Sequence, residues 1–266
     1  MKSVLKCFDK NALREYLEIC NTVSPIDVDN LFEITVEAIT YYRGDKKTRG
    51  TLEYSAVMEQ KWYDSLSRGE PDYSVYDDEH YVCDLWAGWV IYSRQYLLSL
   101  TKDDNRRADQ LSPIKSICDL GCGFGYTTAA LKEIFPDATV FGTNLPGTAQ
   151  YDIATLIGSR REFNVHPDAY WAGHIDLIFA SEYFEHIQEP VEHLMEVLIK
   201  CTPNALIIAN SFGARSAGHF NEYKHGNRFV SNKSIGRLFN SALRLHGYEM
   251  TKTGLWNNRP AYWIKK

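Results

Sequence analysis

Two hydrophobic rhythms divide this chain. Over the first hundred residues apolar side chains recur at spacings of three and four, the period of a helix with one buried face. Helices are predicted over residues 11–20, 27–42, 51–66 and 77–100. The second carries Leu31, Ile34, Thr35, Ala38 and Ile39 and stops at Gly44. The fourth carries Val82, Leu85, Trp86, Trp89, Val90, Leu97 and Leu98 behind two acids in its first turn. Residues 68–72, Arg-Gly-Glu-Pro-Asp, form a turn, and the polar stretch 101–112 is a linker. From residue 114 the rhythm changes to short apolar runs alternating with helical patterns. Strands are predicted over 114–120, 138–143, 161–166, 175–180 and 205–210, with helices from 127 and over 148–157, 190–200 and 231–245. A hairpin of 248–255 and 261–264, turning through 256–260, closes the chain, and 211–229 is left as a long loop. The pattern predicts an α/β domain over 111–266 preceded by an α-helical cap over 1–110.

Between the first strand and its helix lie Gly121, Gly123 and Gly125. Strand, glycine turn and helix make the first half of a βαβ unit that holds a nucleotide-like ligand. Glycines permit the tight turn, the close approach of backbone to ligand, and the contact of strand with helix. Asp119 ends the strand, where ligands collect in parallel sheets. A dinucleotide fingerprint would require glycine at 126, and Tyr126 stands there.

Composition narrows the options. Of 266 residues, 44% are hydrophobic and 24% charged, as in an ordinary globular protein. The net charge of −5 argues against a broad electrostatic grip on nucleic acid. No apolar run reaches membrane-spanning length, and the opening residues are too polar for a signal peptide, so a cytoplasmic protein is expected. Cysteines 7, 20, 83, 118, 122 and 201 include no Cys-x-x-Cys pair and read as reduced thiols rather than a zinc site. Tyr63, Tyr73, Tyr76, Tyr81, Trp86, Trp89, Tyr92 and Tyr96 crowd the end of the cap. They either pack helices onto the next domain or line a lid over a planar substrate; Tyr73, Tyr76 and Tyr81, beside the turn, leave both readings open. The charge run 43–49 reads as a solvated loop.

The run Asp119-Leu-Gly-Cys-Gly-Phe-Gly125 resembles motif I of the class I S-adenosylmethionine-dependent methyltransferases. The resemblance covers about residues 114–266 and implies a Rossmann-like, seven-stranded, mostly parallel sheet ending in an antiparallel hairpin. It implies S-adenosylmethionine as cofactor, held by Asp119, Gly121, Cys122, Gly123, Gly125, Asn144, Leu145, Asp168 and Ser181. Position 144, after the second strand, usually holds an acid that grips both ribose hydroxyls; Asn144 offers one amide oxygen and no charge. Asp168-Ala169 matches the acid-plus-small pair that meets the adenine amino group, or else is an exposed loop acid. Asp176, at a strand start, is given a structural role.

Methyl transfer is an in-line displacement at an activated carbon, so alignment is the protein's main task. A hydroxyl acceptor also needs a base, for which His186, His219 and His225 are candidates, with Tyr183 a second group near the donor. Glu182, His186 and His193 would share one helical face, which either orients an imidazole or sets metal ligands; no metal is assigned. The predicted function is a methyltransferase acting on a small-molecule oxygen or nitrogen, held between cap and loop 211–229. No Asp/Asn-Pro-Pro-Tyr/Phe follows the fourth strand and no Pro-Cys nucleophile is present, which removes two nucleic-acid signatures. One rival reading uses Arg215, Lys224 and Arg228 as a basic patch for nucleic acid or protein. A second, motivated by Asn144, is a module for an altered sulfonium or adenosine ligand. No membrane partner is expected.

Overall fold

Strand residues that alternate between two buried faces build the centre of the molecule. The computed structural model describes residues 3–5, 10–42, 50–100, 113–253 and 260–266. Its strands are β1 Ser116–Asp119, β2 Thr139–Thr143, β3 Asn164–His166, β4 Leu177–Ser181, β5 Ala205–Ala209, β6 Glu222–His225, β7 Arg228–Ser231, β8 Tyr248–Lys252 and β9 Ala261–Lys265. Seven of them form one sheet in the order β3-β2-β1-β4-β5-β9-β8, and β6 pairs with β7 in a separate hairpin. Pairing is parallel from β3 to β5, and β9 runs antiparallel to both β5 and β8. Asp119 stands opposite Gly142 and Phe179, and Ser181 opposite Ala209. The carboxyl ends of β1, β2, β4 and β5 therefore share one edge, where a doubly wound sheet binds its ligands.

Side chains alternate along each strand. Ile117, Leu177, Phe179, Ala205 and Ile207 join one apolar core, and Cys118, Ile178, Ala180, Leu206 and Ile208 join the other. Burial on both faces explains why these strands read as unbroken apolar runs. The first core takes α1 Lys10–Val23, α2 Val28–Tyr42, α4 Glu79–Gly88, α5 Arg94–Leu100, α6 Tyr126–Ile134 and α7 Ala149–Arg161. The second takes α8 Pro190–Cys201 and α9 Asn232–Leu245, with Met58 and Trp62 of α3 Gly50–Ser67. The N-terminal helices thus reach both cores. Trp86 stacks on Tyr16 at 4.7 Å and meets Tyr126 edge-on at 4.9 Å, so the first turn of α6 is wedged against the N-terminal helices. Trp86, Trp89 and Tyr96 are buried, which gives them a packing role.

Two expectations need correction. The single helix over 77–100 is three pieces. A 3-10 turn, Tyr73–Asp77, precedes α4, and a π turn, Trp89–Ser93, separates α4 from α5. Asp72 accepts the Ser74 amide and Asp78 the His80 amide, so two acids cap two successive starts. The loop 211–229 is not free of structure. It contains the β6–β7 hairpin, whose Tyr223 is fully buried and donates its hydroxyl to the Glu185 carbonyl at 2.9 Å. His225 stands opposite Arg228 across a Gly226-Asn227 turn, with Gly226 at φ +58°. Asp176 accepts the Lys115 and Ser116 amides at 2.8 and 2.9 Å, clamping β1 to β4. The five described cysteines are free and buried. Among the described residues no helix is long and apolar enough to cross a membrane. The expected linker 101–112, the charge run 43–49, Cys7, residues 254–259 of the terminal turn and the side chain of Tyr92 lie outside the described residues.

Candidate active site

The three motif glycines all sit in left-handed backbone, at φ +64°, +53° and +88° for Gly121, Gly123 and Gly125. Close approach adds to this at both ends of the loop. A Cβ on residue 121 would lie 2.3 Å from Cδ2 of Tyr183, and one on residue 125 would lie 2.5 Å from Cζ of Phe163. The loop is tied to β2 through Thr143, whose hydroxyl accepts the Gly121 amide at 3.1 Å and whose carbonyl accepts the Cys122 amide at 2.9 Å. Cys122 is buried, and its sulfur occupies the space beside Gly142, so its thiol is packed against β2.

Asp119 is 1% exposed and accepts hydroxyls from Thr127 and, at 2.7 Å, Thr128 in the first turn of α6. Burial pushes its carboxyl up to about 7 against the pull of those hydroxyls. Its contacts fix the glycine loop between β1 and α6. Asn144 is also occupied: Nδ2 donates to the Gly123 carbonyl at 2.8 Å, and Oδ1 accepts the Leu145 amide at 2.8 Å. Leu145 itself is 66% exposed, an apolar surface at the end of β2. Asp168 is exposed, and its Oδ1 accepts the Tyr170 amide at 2.8 Å. The Ser181 hydroxyl, at the end of β4, lies 3.4 Å from that of Ser93 in the π turn.

The segment after β4 carries most of the polar chemistry. Glu182 has φ +51°, a left-handed conformation that a residue with a Cβ adopts at a cost of about 1–3 kcal/mol. Only residues 184–186 coil, as a 3-10 turn, so the expected helical face of Glu182, His186 and His193 does not form. His193 instead places Nε2 3.0 Å from the Tyr183 hydroxyl. Tyr183 thus packs over Gly121 and is anchored on α8; burial pushes its phenol upward. His186 places Nδ1 2.9 Å from the Tyr76 hydroxyl, and its ring meets that of His219 edge-on at 4.7 Å. Burial and the neighbouring His219 pull its pKa down to about 3, which keeps the imidazole neutral at physiological pH.

His219 is buried, and its Nδ1 donates to the Ala214 carbonyl at 2.9 Å, leaving Nε2 as the nitrogen with a lone pair. Burial lowers its pKa, against the Ala214 bond and the charges of Glu182 and Glu59. Trp62 donates its indole N–H to the His219 carbonyl at 2.6 Å. Gly218, at φ +82°, allows this strand of the loop to pass Tyr76 and His186: a Cβ there would lie 2.1 Å from the Tyr76 oxygen. Glu185 is fully buried, and its Oε1 accepts the Ser211 amide at 2.6 Å. Burial, then the charge of Glu182, drives its carboxyl well above the usual range. His225 lies apart from this group, with Nδ1 2.7 Å from Glu192. Arg215 pairs with Glu59 and lies 4.3 Å over the Tyr63 ring, and Lys224 pairs with Glu189.

The structure therefore joins His186 and His219 with Tyr76, while the Tyr183 side chain packs on Gly121 and reaches His193 instead. Thr143, Trp62, Glu185 and Gly218 were missed from sequence, and Tyr76 was left open between packing and a lid. Each acts through a partner distant in the chain, and only the fold brings the two together.

The methyltransferase domain family model matches residues 92–251, more than half of the chain. Over 124 residues, 41% of this chain and 44% of the relative, the sequence is 24% identical to a malonyl-(acyl-carrier protein) O-methyltransferase of Halalkalibacterium halodurans, so the match spans less than half of that curated protein. The plantazolicin methyltransferase BpumL in complex with SAH shares the fold at a TM-score of 0.52 and 13% identity, over 81% of this chain and 96% of that one. The magnesium protoporphyrin IX methyltransferase of Synechocystis with bound SAH gives a TM-score of 0.47 at 16% identity, over 81% of this chain and 99% of that one. With the family model spanning the glycine loop, the segment after β4 and the β6–β7 hairpin, this chain belongs to the methyltransferase domain family, of the class I S-adenosylmethionine-dependent fold.

Proposed function

We propose that this protein transfers the methyl group of S-adenosylmethionine to an oxygen or nitrogen of a small-molecule acceptor held between the helical cap, residues 1–110, and the 211–229 segment. The observation that carries this reading is the junction of Tyr76, His186 and His219. A cap tyrosine, the segment after β4 and the hairpin-bearing insertion meet there in one hydrogen-bonded and edge-stacked group. Tyr73 and Tyr81 extend it, at 6.3 and 5.0 Å from the Tyr76 ring, as an aromatic wall suited to a planar or apolar acceptor.

Toward the donor, the glycine backbone of residues 121–125 is what a ligand can approach closely. Exposed Leu145 is suited to lie against the adenine ring, and Asp168 to accept from its amino group. Asn144 supports the loop backbone, and a ribose hydroxyl is left to share its Oδ1. Ser181 marks the end of β4 nearest the reacting carbon. In the reaction the acceptor lone pair forms a bond to the methyl carbon as the carbon–sulfur bond breaks, and the sulfur leaves as the neutral thioether. The acceptor proton goes to a neutral imidazole, for which the Nε2 lone pair of His219 is available; the ring of His186 packs edge-on against it. The relative's printed activity, an O-methyl transfer, agrees with an oxygen acceptor.

The ion pairs of Arg215 and Lys224 favour this reading over a nucleic-acid substrate, because two members of the required basic patch are already neutralised. A screen of hydroxyl- and amine-bearing aromatic compounds with methyl-labelled S-adenosylmethionine tests it: label in a small molecule supports the reading. Label entering RNA, DNA or protein, with oligonucleotide binding that falls steeply as salt rises, overturns it.

A further inference from the structure

We propose that Glu182, Glu185 and His219 form a binding site for a first-row divalent cation of the Mn2+ or Zn2+ type, beside the junction of Tyr76, His186 and His219. One carboxylate oxygen from each glutamate and one ring nitrogen of His219 lie within 4.8 Å of one another, a spacing that a single ion can bridge. The second observation is an orphaned atom. Glu185 is 0% exposed, yet no donor reaches its Oε2, while Oε1 is already taken by the Ser211 amide. In the ionised form a buried carboxylate oxygen without a donor is costly, and the charge of Glu182 beside it adds repulsion. A cation satisfies both at once.

The surroundings hold the three side chains in place. Nδ1 of His219 is fixed on the Ala214 carbonyl, the outer-shell contact that selects the tautomer with a free Nε2 and orients the ring of a ligating histidine. The Ser211 hydroxyl donates to Glu182 at 3.2 Å, while its amide holds Glu185, so one residue sets both carboxylates. Glu182 is held in left-handed backbone immediately after β4, strain that persists only where the surroundings over-determine it. The His186 ring against His219 and the Trp62 bond to the His219 carbonyl complete the support.

Two carboxylates and an imidazole, with no thiolate, suit Mn2+, Fe2+ or Zn2+ better than Ca2+, which takes oxygen ligands alone. Three protein ligands leave open positions, the mark of a site that also holds a substrate atom. Such a cation would bind an acceptor through oxygen, and this deepens the proposed function by narrowing its acceptor to an oxygen-bearing ligand of a metal. It rests on that reading for the location of the acceptor and replaces its proton step: with the cation bound, Nε2 of His219 would be a ligand and not a base, and the acceptor hydroxyl, made more acidic by the cation, would lose its proton to water.

The test uses the whole chain, freed of metal with a chelator and titrated with Mn2+ while free Mn2+ is followed by electron paramagnetic resonance. The same sample is titrated separately with SAH. One Mn2+ site is expected, displaced by Zn2+ but not by equimolar Ca2+. Glu185→Gln, which keeps the acceptor for Ser211, and His219→Asn should each weaken it by about tenfold or more. Glu182→Gln serves if either variant unfolds. Absence of Mn2+ and Zn2+ binding, or binding unchanged in the folded variants, overturns the site. SAH binding without cation binding overturns this inference alone, and cation binding without SAH binding supports it while overturning the donor assignment.

Discussion

The side-chain amide of Asn144 bridges two backbone groups, donating to the Gly123 carbonyl at 2.8 Å and accepting the Leu145 amide at 2.8 Å. An acid at this position would serve a ribose better, but it has no proton for Gly123. The amide is therefore a brace for the glycine loop. Asn144→Asp should remove the donor and set a negative charge against the carbonyl, at a cost of about 1–3 kcal/mol. The expected result is a lower melting temperature and SAH binding weakened by about tenfold or more, read by calorimetry; tighter binding would show instead that only the ribose grip was lacking.

Tyr183 and Gly121 form a second interlock. Gly121→Ala must place a methyl group 2.3 Å from the tyrosine ring in left-handed backbone, so the ring moves and its 3.0 Å contact with His193 goes with it. The expected outcome is a melting temperature lowered by several degrees and loss of SAH affinity. In the double variant with Tyr183→Leu the clash is relieved while the backbone strain stays. A coupling of about 1 kcal/mol or more is expected in the double-mutant cycle; strict additivity would show that the two residues do not interlock.

Asp119 gives the fold a pH dependence of known sign. Its ordinary value is 3.8 and its folded value about 7. Between those values the unfolded chain has lost the proton and the folded chain keeps it, so stability falls as pH rises from about 4 to 7 and levels off above. The full difference corresponds to about 4 kcal/mol. Asp119→Asn has no such titration and should show a shallower loss of urea midpoint between pH 4.5 and 7.5 than the parent. Identical slopes would place the proton elsewhere.

Trp62 anchors the insertion that carries His219. Trp62→Phe keeps most of the buried ring but leaves the His219 carbonyl without its donor, at about 1–3 kcal/mol. The expected effect falls on the acceptor: KM for the acceptor rises while SAH affinity holds, because Trp62 bonds the 211–229 insertion and not the glycine loop. Equal losses at both would contradict that separation.

What could be read from sequence follows from how local each signal is. Ile117 and Cys118 lie in a run buried on both faces, and the glycines after them need left-handed backbone, so β1, its loop and α6 were legible from a dozen residues. The alternation of runs then carried the sheet. The β6–β7 hairpin escaped because Glu-Tyr-Lys-His and Arg-Phe-Val-Ser bury only Tyr223 fully and show no alternating apolar face, although Gly226-Asn227 was a two-residue turn signal. The π turn at Trp89–Ser93 interrupts an unbroken helical pattern and has no local mark. At the site, Glu182 and His186 were visible as neighbours, but the grouping of Glu185 with His219 needs the insertion folded back by Trp62 and Gly218. The role of Asn144 was hidden for the same reason: its partner Gly123 lies in a different turn.

The central claim is that the loop from Asp119 to Gly125 and the end of β2 bind the methyl donor. Calorimetric titration of the folded protein with S-adenosylmethionine and with SAH tests it most directly. The account predicts one site for each, of micromolar strength or tighter, weakened in Asn144→Asp. A folded sample that binds neither would contradict it.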